Sequence, residues 1–264
     1  MKIMQTICTE HISERRTEMI YITGDCHGDF RDIEYFVQKQ QTTREDILII
    51  LGDAGINYFV YPKASGYVED YLCTSLKEKL ARLPLTLFCV HGNHEARPQN
   101  FIDYEEKTFH QGTVYVQKRY PNLLFAKDGE VFDFNGKQYL VVGGAYSIDK
   151  KERIYQYTRG NIFYLWFPDE QPSAEIKKIV EAKLMSLDWK VDGILSHTCA
   201  YSDRPSELFL SHADVSDIDT STEEWLETIK NRTSYEHWYF GHFHGDKEID
   251  AKTTLLYRSI ITLK

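Results

Sequence analysis

The stretch that decides the fold is Leu87–Glu95, with the sequence Leu-Phe-Cys-Val-His-Gly-Asn-His-Glu. The apolar run from Leu85 to Val90 is rich in β-branched and aromatic residues, which is typical of a buried strand. The run breaks at Gly92 and is followed by amide, imidazole and carboxylate side chains. Because α/β proteins place their sites at the carboxyl ends of strands, this stretch predicts a strand that delivers functional groups.

Four other places in the chain repeat this arrangement of an apolar run that ends in metal-capable side chains. These side chains are Asp25 and His27 (after residues 19–23), Asp53 (after 46–51), His197 (after 191–196), and His242 and His244 (after 237–240). Asp-x-His and His-x-His place two donors on the same side of an extended chain, and neighbouring glycines allow close approach of the backbone. Chance rarely aligns five such strand ends, so the sequence predicts one shared site.

Length, composition and charge narrow the class of protein. The 264 residues are 42% hydrophobic, and we expect one large α/β domain over residues 19–264. The polar stretch 1–18 lacks the apolar centre of a signal peptide and is interpreted as an N-terminal extension, and no apolar run predicts a membrane span. The net charge of −9 disfavours nucleic acid as a partner, because phosphate backbones attract basic surfaces.

The cysteines indicate a reducing environment. There are five, an odd number, without a Cys-x-x-Cys pair, and three of them lie in or beside apolar runs. This usage favours buried, reduced thiols and a cytoplasmic location. Cys26 lies within the first block, but its neighbours on either side already alternate toward the site, so it is only a minor candidate ligand.

The order of apolar patterns predicts strand–helix–strand units followed by shorter strands. Helices are expected over residues 29–40, 67–82, 173–187 and 222–231, with a short one near 100–107. Residues 113–143, with two hairpin signals, predict a meander of antiparallel strands, and the whole pattern indicates two mixed sheets packed face to face. Residues 145–172 have little periodicity and many aromatic side chains, and are interpreted as an insertion that could cap a substrate.

The candidate ligands are hard oxygen and imidazole donors: Asp25, His27, Asp53, Asn93, His197, His242 and His244. Such a set suits Mn, Fe or Zn, and two divalent or trivalent ions would need one bridging carboxylate. A metal pair makes hydroxide from water at neutral pH, so attack of metal hydroxide on phosphorus is the natural reaction. His94 could then protonate the leaving alkoxide as general acid, or serve only as a hydrogen-bonding neighbour of the ligands.

The order of blocks resembles the calcineurin-like metallophosphoesterase superfamily. The blocks are Gly-Asp-x-His-Gly, Gly-Asp, Gly-Asn-His-Glu, His and Gly-His-x-His, between Gly24 and His244. The resemblance implies an α/β fold, a four-layer αββα sandwich of two mixed β-sheets flanked by helices. It implies His94 as the catalytic histidine and two metal ions that share Asp53. One ion would take Asp25, His27, Asp53 and His244, and the other Asp53, Asn93, His197 and His242.

The sequence departs from the phosphoprotein phosphatases of this superfamily in the second block. Those enzymes continue with Asp-Arg-Gly, where Ile56, Asn57 and Tyr58 stand here. The Asp that would orient the catalytic histidine and one phosphate-holding arginine are therefore absent, which weakens a protein-phosphatase interpretation. Candidate replacements for the arginine are Arg97, Arg153 and Arg159, and the aromatic residues that could stack on a substrate base are Tyr146, Tyr155, Tyr157 and Trp166.

The leading hypothesis is a dinuclear metal-dependent phosphoesterase that hydrolyses a small phosphodiester or nucleotide-like substrate. A phosphomonoesterase or serine/threonine protein phosphatase is the alternative within the same class, and a nuclease is a third that the acidic charge disfavours. A metal-bound scaffold without turnover is the alternative of another class. The sequence leaves the oligomeric state open.

Overall fold

The computed structural model describes residues 17–209 and 218–264, so residues 1–16 of the predicted extension lie outside it. The described strands are β1 Ile20–Thr23, β2 Ile47–Ile50, β3 Val60–Lys63, β4 Gly66–Glu69, β5 Thr86–Cys89, β6 Tyr104–Phe109, β7 Gly112–Gln117, β8 Leu123–Ala126, β9 Val131–Phe134, β10 Lys137–Val142, β11 Gly193–Ser196, β12 His237–Phe240, β13 Lys247–Asp250, β14 Thr253–Leu255 and β15 Ile261–Thr262. The described α-helices are α1 Arg31–Gln40, α2 Tyr71–Leu80, α3 Lys150–Thr158, α4 Ala174–Ser186 and α5 Ser221–Arg232.

The strands form two mixed sheets and a separate hairpin. The first sheet has the order β15-β1-β2-β5-β8-β7-β6, in which β1, β2, β5 and β8 are parallel. The second has the order β13-β14-β12-β11-β10-β9, in which β10, β11, β12 and β14 are parallel. Antiparallel strands complete both sheets, and β3 and β4 form the hairpin.

The buried side chains divide into layers that confirm the predicted helix–sheet–sheet–helix order. One apolar cluster joins the facing sides of the two sheets, with Ile49 and Phe88 of the first sheet and Val141 and Tyr239 of the second. A second cluster packs α1 and α2 on the outer side of the first sheet. A third packs α4 and α5 on the outer side of the second sheet. Since β1, β2, β5, β11 and β12 are buried at nearly every position, they read in sequence as continuous apolar runs.

Several predicted elements are confirmed closely. Strands β1, β2, β5 and β12 lie where their apolar runs stand in the sequence. Helix α4 begins after Ser173, whose hydroxyl accepts a hydrogen bond from the Ile176 backbone N–H at 3.2 Å, as a Ser N-cap should. Helix α5 spans residues 221–232, one residue beyond the predicted range at each end. Within the described ranges, no helix is both long and apolar enough to cross a membrane.

The predicted helix over residues 67–82 is wrong in its first turn. Residues 66–69 form β4, and the helix starts only at Tyr71. Asp70 sets this start, because its carboxylate accepts a hydrogen bond from the Leu72 backbone N–H at 2.8 Å. The apolar spacing that suggested a longer helix therefore combined the strand residue Val68 with the exposed helical residue Leu72.

The short helix predicted near residues 100–107 is also wrong. A single 3₁₀ turn at Pro98–Asn100 is followed by β6, which pairs with β7 along its whole length. Strand β6 lies at the edge of the first sheet and is mostly exposed, so its Glu-Glu-Lys centre faces water. Charged edge strands of this kind prevent pairing between molecules, and they lack the apolar pattern that identifies a strand in sequence.

The run of strands predicted as one antiparallel meander is divided between the sheets. Strands β6, β7 and β8 complete the first sheet, and β8 is parallel to β5. The chain then passes to the second sheet, where β9 and β10 pair through a turn at Asn135-Gly136. The insertion at residues 145–172 is not wholly irregular, because it contains α3, a helix in which no residue is fully buried.

A buried lysine marks the outer side of the first sheet. Lys77 on α2 is 0% exposed, and its ammonium group donates to Glu69 Oε1 at 2.6 Å. It also donates to the Tyr104 hydroxyl and to Gln117 Oε1, each at 2.9 Å. All three donor positions of the ammonium group are thereby satisfied. The network ties α2 to β4, β6 and β7, and so fixes the hairpin that the sequence did not predict.

Replacing Glu69 by Gln should destabilise the protein by about 3 kcal/mol, because it leaves the Lys77 charge buried without its counter-ion. The matched control is Glu78→Gln on α2, since Glu78 forms an exposed ion pair with Arg119 at 3.4 Å and should cost less than about 1 kcal/mol. Urea unfolding with an unchanged slope measures both differences. Equal midpoints for the two variants would show that the Lys77 network contributes no more than a surface pair.

Candidate metal centre

The structure brings all seven predicted ligands together at one edge of the two sheets. Each follows the carboxyl end of a strand, and the five strands concerned are β1, β2 and β5 of the first sheet and β11 and β12 of the second. Two groups within this set have ligand atoms that all lie within 4.8 Å of one another: Asp25, His27 and His244, and Asp25, Asp53 and His197. The packing of the two sheets is what makes these strand ends meet.

The first group contains two imidazole nitrogens in close approach. His27 Nε2 and His244 Nε2 are 2.9 Å apart, and they lie 3.7 and 3.3 Å from Asp25 Oδ2. Asp25 is 2% exposed, and its Oδ2 has no hydrogen-bond partner of good geometry among the described residues. A buried carboxylate oxygen facing two ring nitrogens fits a cation at this position.

Asn93 and His242 join the second group through their contacts with His197. His197 Nε2 lies 2.7 Å from Asn93 Oδ1 and 3.7 Å from Asp53 Oδ1, and its ring centroid is 5.0 Å from that of His242. The other oxygen of the same carboxylate, Asp53 Oδ2, lies 3.8 Å from His27 Nε2 in the first group. Asp53 therefore presents one oxygen to each group of candidate ligands.

Hydrogen bonds behind the ligands orient them. His197 Nδ1 lies 2.8 Å from the Leu51 carbonyl oxygen, so the Nδ1–H donates there and the Nε2 lone pair faces the site. Asn93 Nδ2 donates to Ser147 Oγ at 2.9 Å, which turns the amide oxygen toward His197. Asp25 and Asp53 accept hydrogen bonds through Oδ1 from the backbone N–H groups of His242 and His94, at 2.9 and 2.7 Å.

The charges of the site favour an ionised Asp53 and a neutral His242. Burial by itself raises the pKa of Asp53, but His197, His94 and His27 lower it, and the resulting pKa lies below the ordinary value. Burial, together with His197, lowers the pKa of His242 to about 3. Both groups are thus in the protonation state that metal ligands require at neutral pH.

The backbone of the site is held in a conformation that most residues avoid. His27, Asp53, His242 and His244 have positive φ angles of 47°, 46°, 69° and 50°. Each costs of order 1 kcal/mol or more, and such residues cluster at functional sites. The chain around them is close-packed, since a Cβ atom at Gly92 would lie 2.0 Å from Asp53 Oδ1 and one at Gly52 would lie 2.1 Å from His197 Nδ1.

His94 lies beside the ligands but belongs to neither group. Its ring centroid is 5.6 Å from that of His27, and its Nδ1 is buried without a hydrogen-bond partner among the described residues. Burial lowers the pKa of His94 and Arg153 acts in the same direction, whereas the carboxylates of Asp53 and Asp149 oppose them. The ring therefore has charged neighbours on the insertion as well as in the ligand set.

The structure separates the three predicted arginines. Arg97 is 3% exposed, forms an ion pair with Asp128 and donates to the Asp169 carbonyl oxygen at 2.9 Å, so its guanidinium group is engaged within the protein. Arg159 directly follows α3 on the surface, where it contacts the Tyr155 ring and hydroxyl. Neither Arg97 nor Arg159 has a described contact with the ligands, and their roles in substrate binding stay predictions.

Arg153 is the one of the three arginines whose charge acts on the pKa of His94. Its Nε donates to Asp149 Oδ2 at 2.7 Å, and its Nη1 donates to the Tyr58 hydroxyl at 2.9 Å and to the Leu165 carbonyl oxygen at 3.2 Å. Tyr58 is one of the residues that replace Asp-Arg-Gly in the second block. Arg153 Nη2 makes no hydrogen bond among the described residues. These bonds fix the guanidinium group in place on the insertion.

The aromatic side chains of the insertion differ in exposure. Tyr146 is half-buried beside Ser147, with the Lys150 ammonium 5.4 Å from its ring. Tyr155 and Tyr157 are exposed on α3, as is Phe163, which follows the helix. Trp166 donates to Glu170 Oε2 at 2.7 Å, which fixes it within the insertion. The exposed rings remain available to a ligand, whereas Trp166 has a structural partner.

Sequence reasoning missed several residues that shape the site. Tyr257 stacks on the His244 ring with a centroid distance of 4.8 Å and an angle of 17°. Asp246 holds Tyr257 there by accepting a hydrogen bond from its backbone N–H at 2.8 Å. Glu95 is buried and accepts a hydrogen bond from the Gly92 backbone N–H at 3.1 Å. Burial raises the pKa of its carboxyl group to about 8. Its place in the Gly-Asn-His-Glu block was the only available signal.

Cys26 does not belong to the ligand set. Its Sγ faces the Gly24 carbonyl oxygen at 3.8 Å, and burial raises the pKa of the thiol well above its ordinary value. A thiol that stays protonated is a poor metal ligand. The four described cysteines are all buried and free of disulfides, as the sequence predicts. The donor set of the site is therefore oxygen and nitrogen.

Comparison with known proteins places this site in a family. The pattern of the family described as calcineurin-like phosphoesterase matches residues 19–246, which include all seven candidate ligands and His94. A crystal structure of a protein from Thermus thermophilus is similar over 94% of this chain and 98% of that one, at 16% identity and a TM-score of 0.48. No curated protein matches the sequence. Since the family pattern covers most of the chain, the protein belongs to the calcineurin-like phosphoesterases.

Proposed function

We propose that the protein is a dinuclear metal-dependent phosphoesterase that hydrolyses a small phosphodiester or nucleotide-like substrate. The observation that carries this proposal is the position of Asp53, with one oxygen 3.7 Å from His197 Nε2 and the other 3.8 Å from His27 Nε2. A carboxylate between two groups of nitrogen ligands is the arrangement that a bridged pair of metal ions requires. The family membership agrees with a hydrolase of phosphoric esters.

The described residues supply two sets of ligands around that bridge. Asp25, His27 and His244 would hold one ion together with Asp53, and Asn93, His197 and His242 would hold the other. The oxygen and imidazole donors favour Mn, Fe or Zn. Two such ions would supply a nucleophile at neutral pH and stabilise charge on the phosphoryl oxygens.

The chain's own groups would then bind the substrate and move the proton. Arg153 Nη2 would hold a phosphoryl oxygen, since charge-assisted bonds from guanidinium to phosphate are strong and directional. His94 Nε2 would give its proton to the leaving oxygen, because Nδ1 is buried on the protein side of the ring. The exposed rings of Tyr155, Tyr157 and Phe163 support a nucleotide-like substrate, as they could stack on a base.

A phosphomonoesterase remains the second candidate, and Arg153 favours it. A fixed guanidinium whose charge acts on His94 suits the dianion of a monoester as well as the single charge of a diester. A serine/threonine protein phosphatase has less support, because Ile56 and Asn57 are fully buried and offer no charge to a substrate. We also propose a cytoplasmic location for the protein, as the cysteine usage predicts.

Replacing Asp53 by Asn should weaken metal binding at both positions by at least about 100-fold, because it removes the bridging charge. Asp32→Asn is the matched control, since Asp32 is an exposed carboxylate on α1 that pairs with Arg258. Metal content after dialysis against Mn²⁺ and a weak chelator measures the effect. Wild-type content in Asp53→Asn would contradict the proposed bridge.

Replacing His94 by Ala should leave metal content unchanged and lower turnover of esters with poor leaving groups by about 10²–10⁴-fold. Esters with good leaving groups should lose much less, since their leaving oxygen needs no proton. His237→Gln, at the other end of β12 from His242, controls for a general effect of losing a histidine. A parallel loss of metal would mean that His94 is a ligand or a structural residue.

The Mn²⁺-loaded protein should hydrolyse a bis-aryl phosphodiester faster than the matching aryl monoester. Arg153→Gln should lower kcat/KM for its preferred substrate by about 10- to 100-fold, the value of one charge-assisted hydrogen bond, while Arg159→Gln should not. Faster hydrolysis of the monoester would make the phosphatase the leading candidate. Failure to hydrolyse either ester, with metal bound, would favour the scaffold without turnover.

A further inference from the structure

The amide group of Asn93 has different partners at its two ends. Its Oδ1 lies 2.7 Å from His197 Nε2, and its Nδ2 donates to Ser147 Oγ at 2.9 Å. Asn93, His197 and Ser147 are all buried, with exposures of 1%, 0% and 1%. Because these side chains are shielded from bulk solvent, the amide depends on the protein or on a bound ion for its polar contacts.

The short distance between Asn93 Oδ1 and His197 Nε2 joins two acceptors. The Nδ1–H of His197 donates to the Leu51 carbonyl oxygen at 2.8 Å, so in the neutral ring that a metal ligand requires, Nε2 carries the lone pair. The amide oxygen is also an acceptor without a proton to give. Two acceptors so close repel each other unless a cation binds both. The orientation of Asn93 is therefore the one that suits a metal ion.

The reverse orientation of the Asn93 amide would suit a site without an ion. The oxygen and the NH₂ group of an amide are nearly equal in size, so the group can turn over within the same space. Asn93 Nδ2 would then donate to His197 Nε2, and the oxygen would point away from the ion position. Among the described residues, Ser147 Oγ is the only hydrogen-bond partner of Nδ2 that holds the amide as it stands.

Ser147 is well placed to hold the amide. The backbone N–H of Gly144 donates to the His91 carbonyl oxygen at 2.8 Å, which ties the start of the insertion to the loop that carries Asn93. The Glu170 carboxyl group lies beside Ser147, whose hydroxyl and backbone N–H lower its pKa by hydrogen bonding, while burial raises it. Since this carboxyl group can take the hydroxyl proton, the Ser147 oxygen is left to accept from Asn93 Nδ2.

We propose that Ser147 is the positioning residue of Asn93 and sets the affinity of the ion position formed by Asn93, His197 and His242. The inference rests on the proposed function. While Ser147 Oγ accepts from Nδ2, the amide oxygen points to the ion. Without the hydroxyl the amide turns over to His197 Nε2, and the apparent affinity falls with the fraction of molecules that keep the competent orientation. The insertion would thereby control one of the two metal positions.

Ser147→Ala should weaken the binding of one of the two Mn²⁺ ions by about 10- to 100-fold and leave the other nearly unchanged. Calorimetric titration of the metal-stripped protein with Mn²⁺ measures both affinities. Ser186→Ala, at an exposed serine that ends α4, is the matched control and should change neither. Equal weakening of both ions, or no weakening of either, would overturn the proposal.

The variant Asn93→Asp separates positioning from a general loss of packing. A carboxylate presents an oxygen to the ion whichever way it turns, so Ser147→Ala should cost much less affinity in the Asn93→Asp background than in the wild type. The double-mutant cycle measures this coupling. An equal loss of affinity in both backgrounds would mean that Ser147 acts only through packing, and would contradict the proposal.

A further measurement needs neither metal nor activity. In metal-free, ¹⁵N-labelled protein, a hydrogen bond from Asn93 Nδ2 to His197 Nε2 produces a scalar coupling between the two nitrogens. This coupling should be absent in the wild type and present in Ser147→Ala, and the same result in both proteins would overturn the proposal. A protein that shows these differences and binds two ions, but hydrolyses no phosphoester, would refute the proposed function and leave the role of Ser147 established.

Discussion

Two carboxylates buried side by side are the constraint on which the rest of this structure depends. Asp25 and Asp53 are 2% and 1% exposed, and an oxygen of each lies within 4.8 Å of the other. Like charges so close together in a low-dielectric region repel strongly unless opposite charge surrounds them. The four histidines around these carboxylates are His27, His197, His242 and His244, and their ring nitrogens could share a cation with the carboxylate oxygens. In our proposal a pair of cations would compensate the charge of both carboxylates.

The packing of the two sheets brings the two carboxylates close to the histidines. Asp25 and Asp53 come from the first sheet, whereas His197 and His242 come from the second. The apolar cluster between the sheets holds these strand ends at a fixed distance, and it offsets the cost of the left-handed backbone at Asp53 and its neighbours. Glycines at positions 52 and 92 remove the side chains that would otherwise separate the strand ends. The geometry of the site therefore depends directly on the packing of the core.

The elements that sequence reasoning predicted well are those that the core determines. Strands such as β1 and β5 are buried on both faces, so their apolar runs identify them, and Ser173 marks the start of α4 by its capping chemistry. The elements that it missed owe their existence to partners distant in sequence. Strand β6 is a charged edge that exists because β7 pairs with it, and the β3–β4 hairpin is fixed by the buried Lys77 network. No local pattern in the sequence records such partners.

The same division applies to the site. The candidate ligands could be located from the sequence because each lies within four residues of the end of a strand. The arginines lie in loops and α3, where spacing gives no direction. Arg97 and Arg153 read alike in sequence, yet one is bound to Asp128 and the other to Tyr58 and Asp149. Tyr58 occupies a position in the second block where the phosphatases carry part of their Asp-Arg-Gly, and it anchors an arginine that comes from the insertion instead. In our proposal the metal centre follows from the sandwich, while phosphate binding follows from residues 145–172. Substitutions in the insertion would then change the substrate preference of the protein without changing its ligand set.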